Sequence, residues 1–380
     1  MKQTVFIMSS LHRWNDDRIY YREALSLKKD YKVVICGVGS FYFKKIGNVE
    51  IYGVPERKKI YKRSLTWLKI LKLALRTQAS IYHFHDPELI LIGTIIKILK
   101  KNSKIIYDVH EKILDTIQEK IWISNPLRRI LFYLWPIIET YSIKRYIDYI
   151  VTASDDIALE YQKYKNKVVI IRNFAYSGFL KYGDSKVVEE KYNLYNDSLV
   201  LIYAGSLMRA KGVLEIVKAV NHIKKYNIKL VLTNNFKDKT FEKEVKKCAN
   251  NQVIFTGWLP YKEVFRYLKM SDIGLACYHP ISNYTNGIDR MLKIFEYMSV
   301  GLPIIISNFP TWKNFINTNQ CGITANPMSP KSIAKAIEWF ISHPEEMKKM
   351  GENGKKAIKE KYNWDTESQK LINVYRKLLK

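Results

Sequence analysis

Apolar residues recur along this chain in two alternating rhythms, short β-branched runs and longer stretches with a period of about 3.6 residues. The first run is residues 2–10, KQTVFIMSS, and the second is residues 32–37, KVVICG. Between them, residues 18–28 place Ile19, Leu25 and Leu27 on or near one helical face. Strand, polar loop, helix and strand is the opening of a doubly wound α/β domain. A basic amphipathic helix is expected at 60–75, and further strands at 80–84, 104–109, 149–153 and 168–172. The aromatic and basic segment 121–146 carries Trp122, Arg128, Trp135 and Arg145 and is broken by Pro126 and Pro136, which predicts a helical hairpin or a membrane-facing surface.

The rhythm restarts at Leu199. Strands are expected at 199–205, 229–233, 253–256, 273–277 and 304–307, with helices at 213–224, 261–270, 329–342, 344–361 and 364–379. This predicts an α/β protein of two Rossmann-like domains facing across a cleft, 1–178 and 199–360, joined by a polar linker at 179–198. Residues 286–308, NGIDRMLKIFEYMSVGLPIIISN, read as loop, helix, Gly-Pro break and buried strand. Glu296 is an acid in the middle of that otherwise apolar helix, the arrangement of a ligand site at the end of a parallel strand.

Other candidate chemistry also falls at strand ends. HFHDPE gives His85 and Asp86 after one expected strand, and YDVHE gives His110 and Glu111 after the next. Two successive strands that finish in His plus a carboxylate aim these groups into one place. The loop AGSLMRAKG, 204–212, opens a helix whose free N–H groups favour an anion, and Arg209 and Lys211 add charge; a diphosphate fits there. Glu296 suits the vicinal hydroxyls of a ribose, with Lys293 as its competing ion-pair partner. The loop after the first strand, SSLHRWNDDRI, has no GxGxxG, which argues against NAD or FAD.

Composition narrows the partners. The net charge of +27 draws anions, whether nucleic acid, an anionic membrane surface or an anionic small substrate. The basic residues are scattered and form no nucleic-acid-binding motif, so nucleic acid is not expected. Cys36, Cys248, Cys277 and Cys321 are far apart, which supports neither a disulfide framework nor a metal site. No secretory leader and no apolar run of about 18 residues is present, so a cytoplasmic protein is expected, and the basic helix at 60–75 either packs on a sheet with its basic side in water or makes the protein peripheral on the inner face of the plasma membrane.

Taken together, HRWNDDRI, HFHDPE, YDVHE, IRNF, YAGSLMRAKG, FTGWLP and LKIFEYMSVGLPIIIS resemble the glycosyltransferases of the GT-B fold, family 4, over nearly the whole chain. The YDVHE and HDPE pair is most similar to bacterial enzymes that build surface polysaccharides. The resemblance implies a retaining, metal-independent transfer of a hexose-type sugar to a glycan. The substrate implied is a nucleotide-diphosphate sugar, UDP favoured over GDP, with no cofactor. A lipid-linked acceptor is suggested by the basic and aromatic content of 60–75 and 121–146. By resemblance Glu296 holds the ribose, Lys211 the diphosphate, and His85 lies near the reacting sugar. Trp258 and Leu259 fall where the backbone contacts the base. The stretch with Gly287, Asp289 and Leu292 falls where amides touch the donor, and Gly205, Ser206, Arg209 and Lys293 complete that side. Asp17, Arg18, His85, Asp86, His110 and Glu111 form the acceptor side, and a final helix, 361–380, packs back on the first domain. Two positions depart from the pattern. Ile288, beside Asp289, stands where a second glutamate is common, and Ser206 where an arginine is common, with Arg209 as its substitute. A sugar-nucleotide epimerase of the same architecture is the alternative enzyme.

Overall fold

The run TVFIMSS lacks polar alternation because both faces of its strand are covered: Val5, Phe6, Ile7 and Met8 are all fully buried. In the computed structural model, which describes residues 2–56, 60–114, 117, 125–176, 198–285 and 287–380, this strand, β1 (Thr4–Arg13), is central to the first of two units. That unit comprises Met1–Arg172 with Thr366–Lys380, and the second comprises Asn173–Asp365.

The first unit's sheet also contains β2 (Lys32–Val38), β3 (Phe43–Ile46), β4 (Val49–Val54), β5 (Ile81–Phe84), β6 (Lys104–Val109), β7 (Tyr149–Thr152) and β8 (Val168–Ile170). Their order is β3-β4-β2-β1-β5-β6-β7-β8, parallel throughout except for the β3–β4 hairpin. The helices are α1 (Asp17–Ala24), wound as a π-helix, α2 (Ile60–Arg76), α3 (Ile90–Leu99), α4 (Asn125–Arg145) and α5 (Asp155–Glu160). Asp16 caps α1 by accepting the N–H groups of Arg18 and Ile19. Ile70, Ile96 and Ile143 bring α2, α3 and α4 onto one apolar layer with Phe6, Met8 and Tyr107 of the sheet.

The second unit is a six-stranded parallel sheet in the order β11-β10-β9-β12-β13-β14. Its strands are β9 (Leu199–Ala204), β10 (Ile228–Thr233), β11 (Val253–Gly257), β12 (Ile273–Ala276), β13 (Ile304–Ser307) and β14 (Gly322–Ala325). Its helices are α6 (Val213–His222), α7 (Lys239–Cys248), α8 (Tyr261–Lys269), α9 (Leu292–Val300), α10 (Pro310–Asn319), α11 (Pro330–Ser342) and α12 (Pro344–Glu360). A last helix, α13 (Trp364–Leu379), belongs from Thr366 onward to the first unit, where the Tyr375 hydroxyl meets His83 Nδ1 at 2.8 Å.

Each sheet reverses its strand order once, between β1 and β5 and between β9 and β12. Ligands of open α/β sheets bind beyond the strand C-termini at such reversals. The β1 and β5 ends carry Ser9, Ser10, His85 and Asp86, and the β9 and β12 ends carry Gly205, Ser206 and Tyr278.

The segment 121–146 departs from the sequence expectation. It holds one continuous helix, α4, with Pro136 inside it, rather than a hairpin. Pro126 lies in the first turn, where no N–H is required. The β3–β4 hairpin, α7, α10 and β14 had no counterpart in the hydrophobic reading. Lys58, Lys59, Trp122, Asn286 and nearly all of the proposed linker lie outside the described residues.

Candidate active site

The site in the second unit grows from glycines and tyrosines. Gly205 ends β9 at φ +134°, and a Cβ there would meet the Lys293 ammonium at 2.8 Å. Gly212 opens α6 at φ +66°, and a Cβ there would lie 1.8 Å from the Cys277 carbonyl oxygen. Only glycine lets this loop close onto the end of β12. The loop is tied there by the His279 N–H, which donates to the Ala210 carbonyl at 2.9 Å.

Helix α9 is pinned across the same strand ends. Tyr297 Oη accepts the Ala204 N–H at 2.8 Å and donates to the Leu275 carbonyl at 3.3 Å. Its ring lies over Gly274, where a side chain would overlap it. Gly301 terminates α9 at φ +90°, with the Gly301 N–H donating to Met298 and the Leu302 N–H to Tyr297, a Schellman motif. This anchorage fixes Lys293 and Glu296, one turn apart, at the reversal point.

Lys293 is buried, and its ammonium has no hydrogen-bond partner among the described residues. It stands 3.6 Å from the centroid of the Tyr203 ring and 5.3 Å from that of Tyr278. Lys211 Nζ lies 6.0 Å from the same Tyr278 centroid and donates to Ser206 Oγ at 2.7 Å. Burial holds the Lys293 ammonium well below its usual range, and the charge of Lys211 pushes it the same way. Burial also brings Lys211 down to about 8, with Lys237 adding repulsion. A buried ammonium and a part-buried one near one aromatic ring, beside a helix N-terminus, are groups that suit an anion.

Glu296 is 4% exposed and accepts the Tyr261 hydroxyl at the start of α8. The competing Lys293–Glu296 pair is not a hydrogen-bonded contact, because the ammonium has no such partner. Trp258 follows β11, is half exposed, and donates its N–H to Asn235 Oδ1 at 3.1 Å, with Leu259 next to it. Gly287 caps the short turn Ile288–Arg290, which contains Asp289 and leads into Leu292. Arg209 turns away from this group: it pairs with Glu244 and covers the Phe241 ring.

In the first unit, β5 and β6 do bring their terminal histidines together. His85 Nδ1 and His110 Nε2 are 3.0 Å apart with rings stacked. Behind them lies a fully buried polar cluster of Glu23, His83, His85 and Asp108. Asp108 Oδ2 accepts from Arg18 Nε and Nη2 at 3.0 and 2.8 Å, and Arg18 also donates to the Ile171 carbonyl at 2.9 Å. Burial raises the Glu23 carboxyl to about 8 and lowers the His85 imidazole to about 4. Asp86 is committed to its own loop, accepting the Ser10 and Leu11 N–H groups and the Ser9 hydroxyl. Asp17 pairs with Arg22 at 3.3 Å, and Glu111 is exposed.

Sequence reasoning passed over Tyr203, Tyr261 and Tyr278 in the second unit and Glu23 and Asp108 in the first. Asp108 carried a signal: a carboxylate inside the buried strand KIIYDV requires a partner. The tyrosines carried none, since an aromatic at a strand end, like Tyr203 and Tyr278, or at a helix start, like Tyr261, is ordinary core.

Two parallel-sheet α/β units, each with polar groups at the reversal point of its sheet, define a protein of the GT-B fold. Residues 184–357 match the family described as Glycosyl transferases group 1. Over most of its length the chain is similar to the capsular polysaccharide biosynthesis glycosyltransferase CapM of Staphylococcus aureus, 22% identical over 93% of this chain and 92% of that protein. It is 24% identical to an uncharacterized glycosyltransferase, MJ1607, of Methanocaldococcus jannaschii over 50% of this chain, and spans about half (49%) of that relative's length. Among solved structures, sucrose-phosphate synthase from Thermosynechococcus elongatus superimposes with a TM-score of 0.76 at 16% identity, covering 100% of this chain and 99% of that one. HepE from Anabaena, in complex with UDP-glucose, gives 0.69 at 11% identity over 98% and 99%.

Proposed function

We propose that the protein is a glycosyltransferase that moves a sugar from a nucleotide-diphosphate sugar to a glycan. The observation that carries this is the pair of ammoniums near the Tyr278 ring, part-buried Lys211 and buried Lys293. A diphosphate supplies the negative charge that this place lacks. As the bond between the sugar and the phosphate breaks, charge grows on the leaving diphosphate. The two lysines and the N-terminus of α6 stabilise it. In this reading no metal ion is needed at the phosphates. Glu296 takes the ribose hydroxyls, and the backbone at Trp258 and Leu259 takes the base. HepE, whose structure holds UDP-glucose, supports UDP as the nucleotide.

The sugar is transferred with retention. The acceptor oxygen forms its bond to the anomeric carbon on the face the diphosphate leaves, and its proton passes to the departing phosphate. His110 lines the acceptor side. His85, one hydrogen bond behind it, is a positioning residue. The likeness to CapM, a capsular polysaccharide biosynthesis glycosyltransferase, supports a surface-polysaccharide glycan as acceptor; in this reading the glycan is lipid-linked and the enzyme works at the inner face of the plasma membrane.

A panel of nucleotide diphosphates and their sugars, read by thermal shift, tests the donor site, because a ligand of the native state raises the melting temperature. Transfer with the best donor is then followed in Glu296→Ala and Lys211→Ala. Near-normal turnover in both variants rejects the assignment. Conversion of donor alone to its epimer makes the protein an epimerase instead.

A further inference from the structure

Helix α4 is apolar on more than one side. Ile143 faces the core, yet Ile130, Tyr133, Leu134, Ile137 and Tyr141 are exposed and recur at the spacing of a single outward stripe. Tyr133 is 72% and Ile137 65% exposed. A helix that is apolar all round is normally buried. The neighbouring α3 repeats the pattern: Ile92 and Ile96 are buried, while Leu91, Ile95 and Ile98 are exposed. On α2, Leu65 and Leu68 are exposed beside Lys69 and Lys72. The three helices share one core layer and pack side by side, so their outer surfaces adjoin. Exposed apolar surface of this extent marks a docking face.

Charge identifies what docks. Arg129, Lys144 and Arg145 are exposed on α4. The one acid in the three helices is Glu139, and it accepts the Tyr161 and Tyr107 hydroxyls. The three helices therefore present apolar and basic side chains and, among the described residues, no exposed acid of their own. A second copy would set like charges against each other, in a chain already at +27. No helix among the described residues is long and apolar enough to cross a membrane. We propose that the α2–α3–α4 face lies on an anionic lipid bilayer, its leucines and isoleucines entering the headgroup boundary. Tyr133 and Tyr141 sit at that boundary, and the lysines and arginines lie on the phosphates. This deepens the lipid-linked acceptor reading above, but it is tested without catalysis.

The test is flotation of the full chain at low salt with vesicles of equal parts phosphatidylglycerol and phosphatidylcholine, and with phosphatidylcholine alone. Wild type floats with the mixed vesicles and far less with the neutral ones. The double variant Ile95→Asp/Ile137→Asp, altered only at exposed positions, loses roughly tenfold or more of that binding. It keeps the wild-type circular dichroism and the wild-type melting shift with UDP. Failure of wild type to float, or equal flotation of the double variant, overturns the proposal. So does sedimentation showing a dimer that Ile137→Asp dissolves while wild type does not float. Absence of a UDP shift counts against the donor reading and not against this one.

Discussion

Lys293 holds its ammonium 3.6 Å from the centroid of the Tyr203 ring, and no described residue offers it a hydrogen bond. A ring face stabilises a cation by about 0.5–2 kcal/mol, far less than water does. Lys211 stands near the same aromatic surface and worsens the position of Lys293. The free protein is therefore strained where the ligand-bound one is not. Lys293→Met and Lys211→Met each weaken UDP binding about 10- to 100-fold, the worth of one charge-assisted hydrogen bond. Neither lowers the melting temperature of the free protein, and Lys293→Met raises it, because an unpaired buried charge is removed. Calorimetric binding and a ligand-free melt separate the two effects. Unchanged UDP affinity in both variants would falsify the anion receptor.

The same strain makes binding draw protons. Lys211 in the free protein titrates near 8, below its usual value of 10.5, so above pH 8 it is increasingly neutral. A diphosphate favours the charged form and raises that value again. Affinity therefore falls as pH rises through about 8, and binding at that pH takes up protons. For stability the sign is opposite. Between about 8 and 10.5 the unfolded chain holds a proton that the free native state does not, so this group's contribution favours folding more as pH rises through that window. Titration calorimetry in buffers of different ionisation enthalpy reads the uptake directly. Binding heats that are independent of buffer at pH 8 would remove it.

Glu296 and Tyr261 test the sugar half of the nucleotide separately from its phosphates. Glu296 accepts the Tyr261 hydroxyl, which holds the carboxylate on one side of α9. Glu296→Gln keeps the shape and removes the charge. UDP should bind about tenfold less tightly, while inorganic diphosphate, which has no ribose, should bind as before. Tyr261→Phe loosens the carboxylate and has a smaller effect in the same direction. Equal losses for both ligands would mean that Glu296 serves the charge balance of the site and not a pentose.

The loops at the strand ends were legible for a physical reason. Gly205, Gly212 and Gly301 all have positive φ, a conformation that glycine adopts at little cost, so the chain marks these positions openly. The β-branched runs of β1, β9 and β13 announced buried parallel strands for the same kind of reason. What lay hidden was long-range. The choice of Lys293 between Glu296 and the Tyr203 ring depends on side-chain direction on α9, which spacing does not give. Arg209 sat in the loop that the anion reading singled out, yet Glu244 of α7 holds it, and α7 had no clear hydrophobic signature. Pro136 misled because a proline inside a helix normally ends it, whereas α4 continues through.

Arg18 and Asp108 carry the last prediction. Both are buried, and the guanidinium makes two short contacts to Asp108 Oδ2, at 3.0 and 2.8 Å, and one to Oδ1 at 3.2 Å. Arg18 Nε also lies 3.0 Å from Glu23 Oε1, but burial keeps that carboxyl protonated at neutral pH, so Asp108 is the charged partner. Asp108→Asn removes that charge and leaves a buried guanidinium unpaired by any anion in the cluster, at a cost of about 3–5 kcal/mol. Arg18→Met is worse placed still, because it leaves Asp108 and Glu23 facing each other without a cation. The double variant Arg18→Met/Asp108→Asn removes both charges and should cost clearly less than the two single changes added together. Denaturant unfolding of the first unit, followed in the four proteins of the cycle, measures the coupling. Strict additivity would show that the pair is held in place by the surrounding core and contributes no stability of its own.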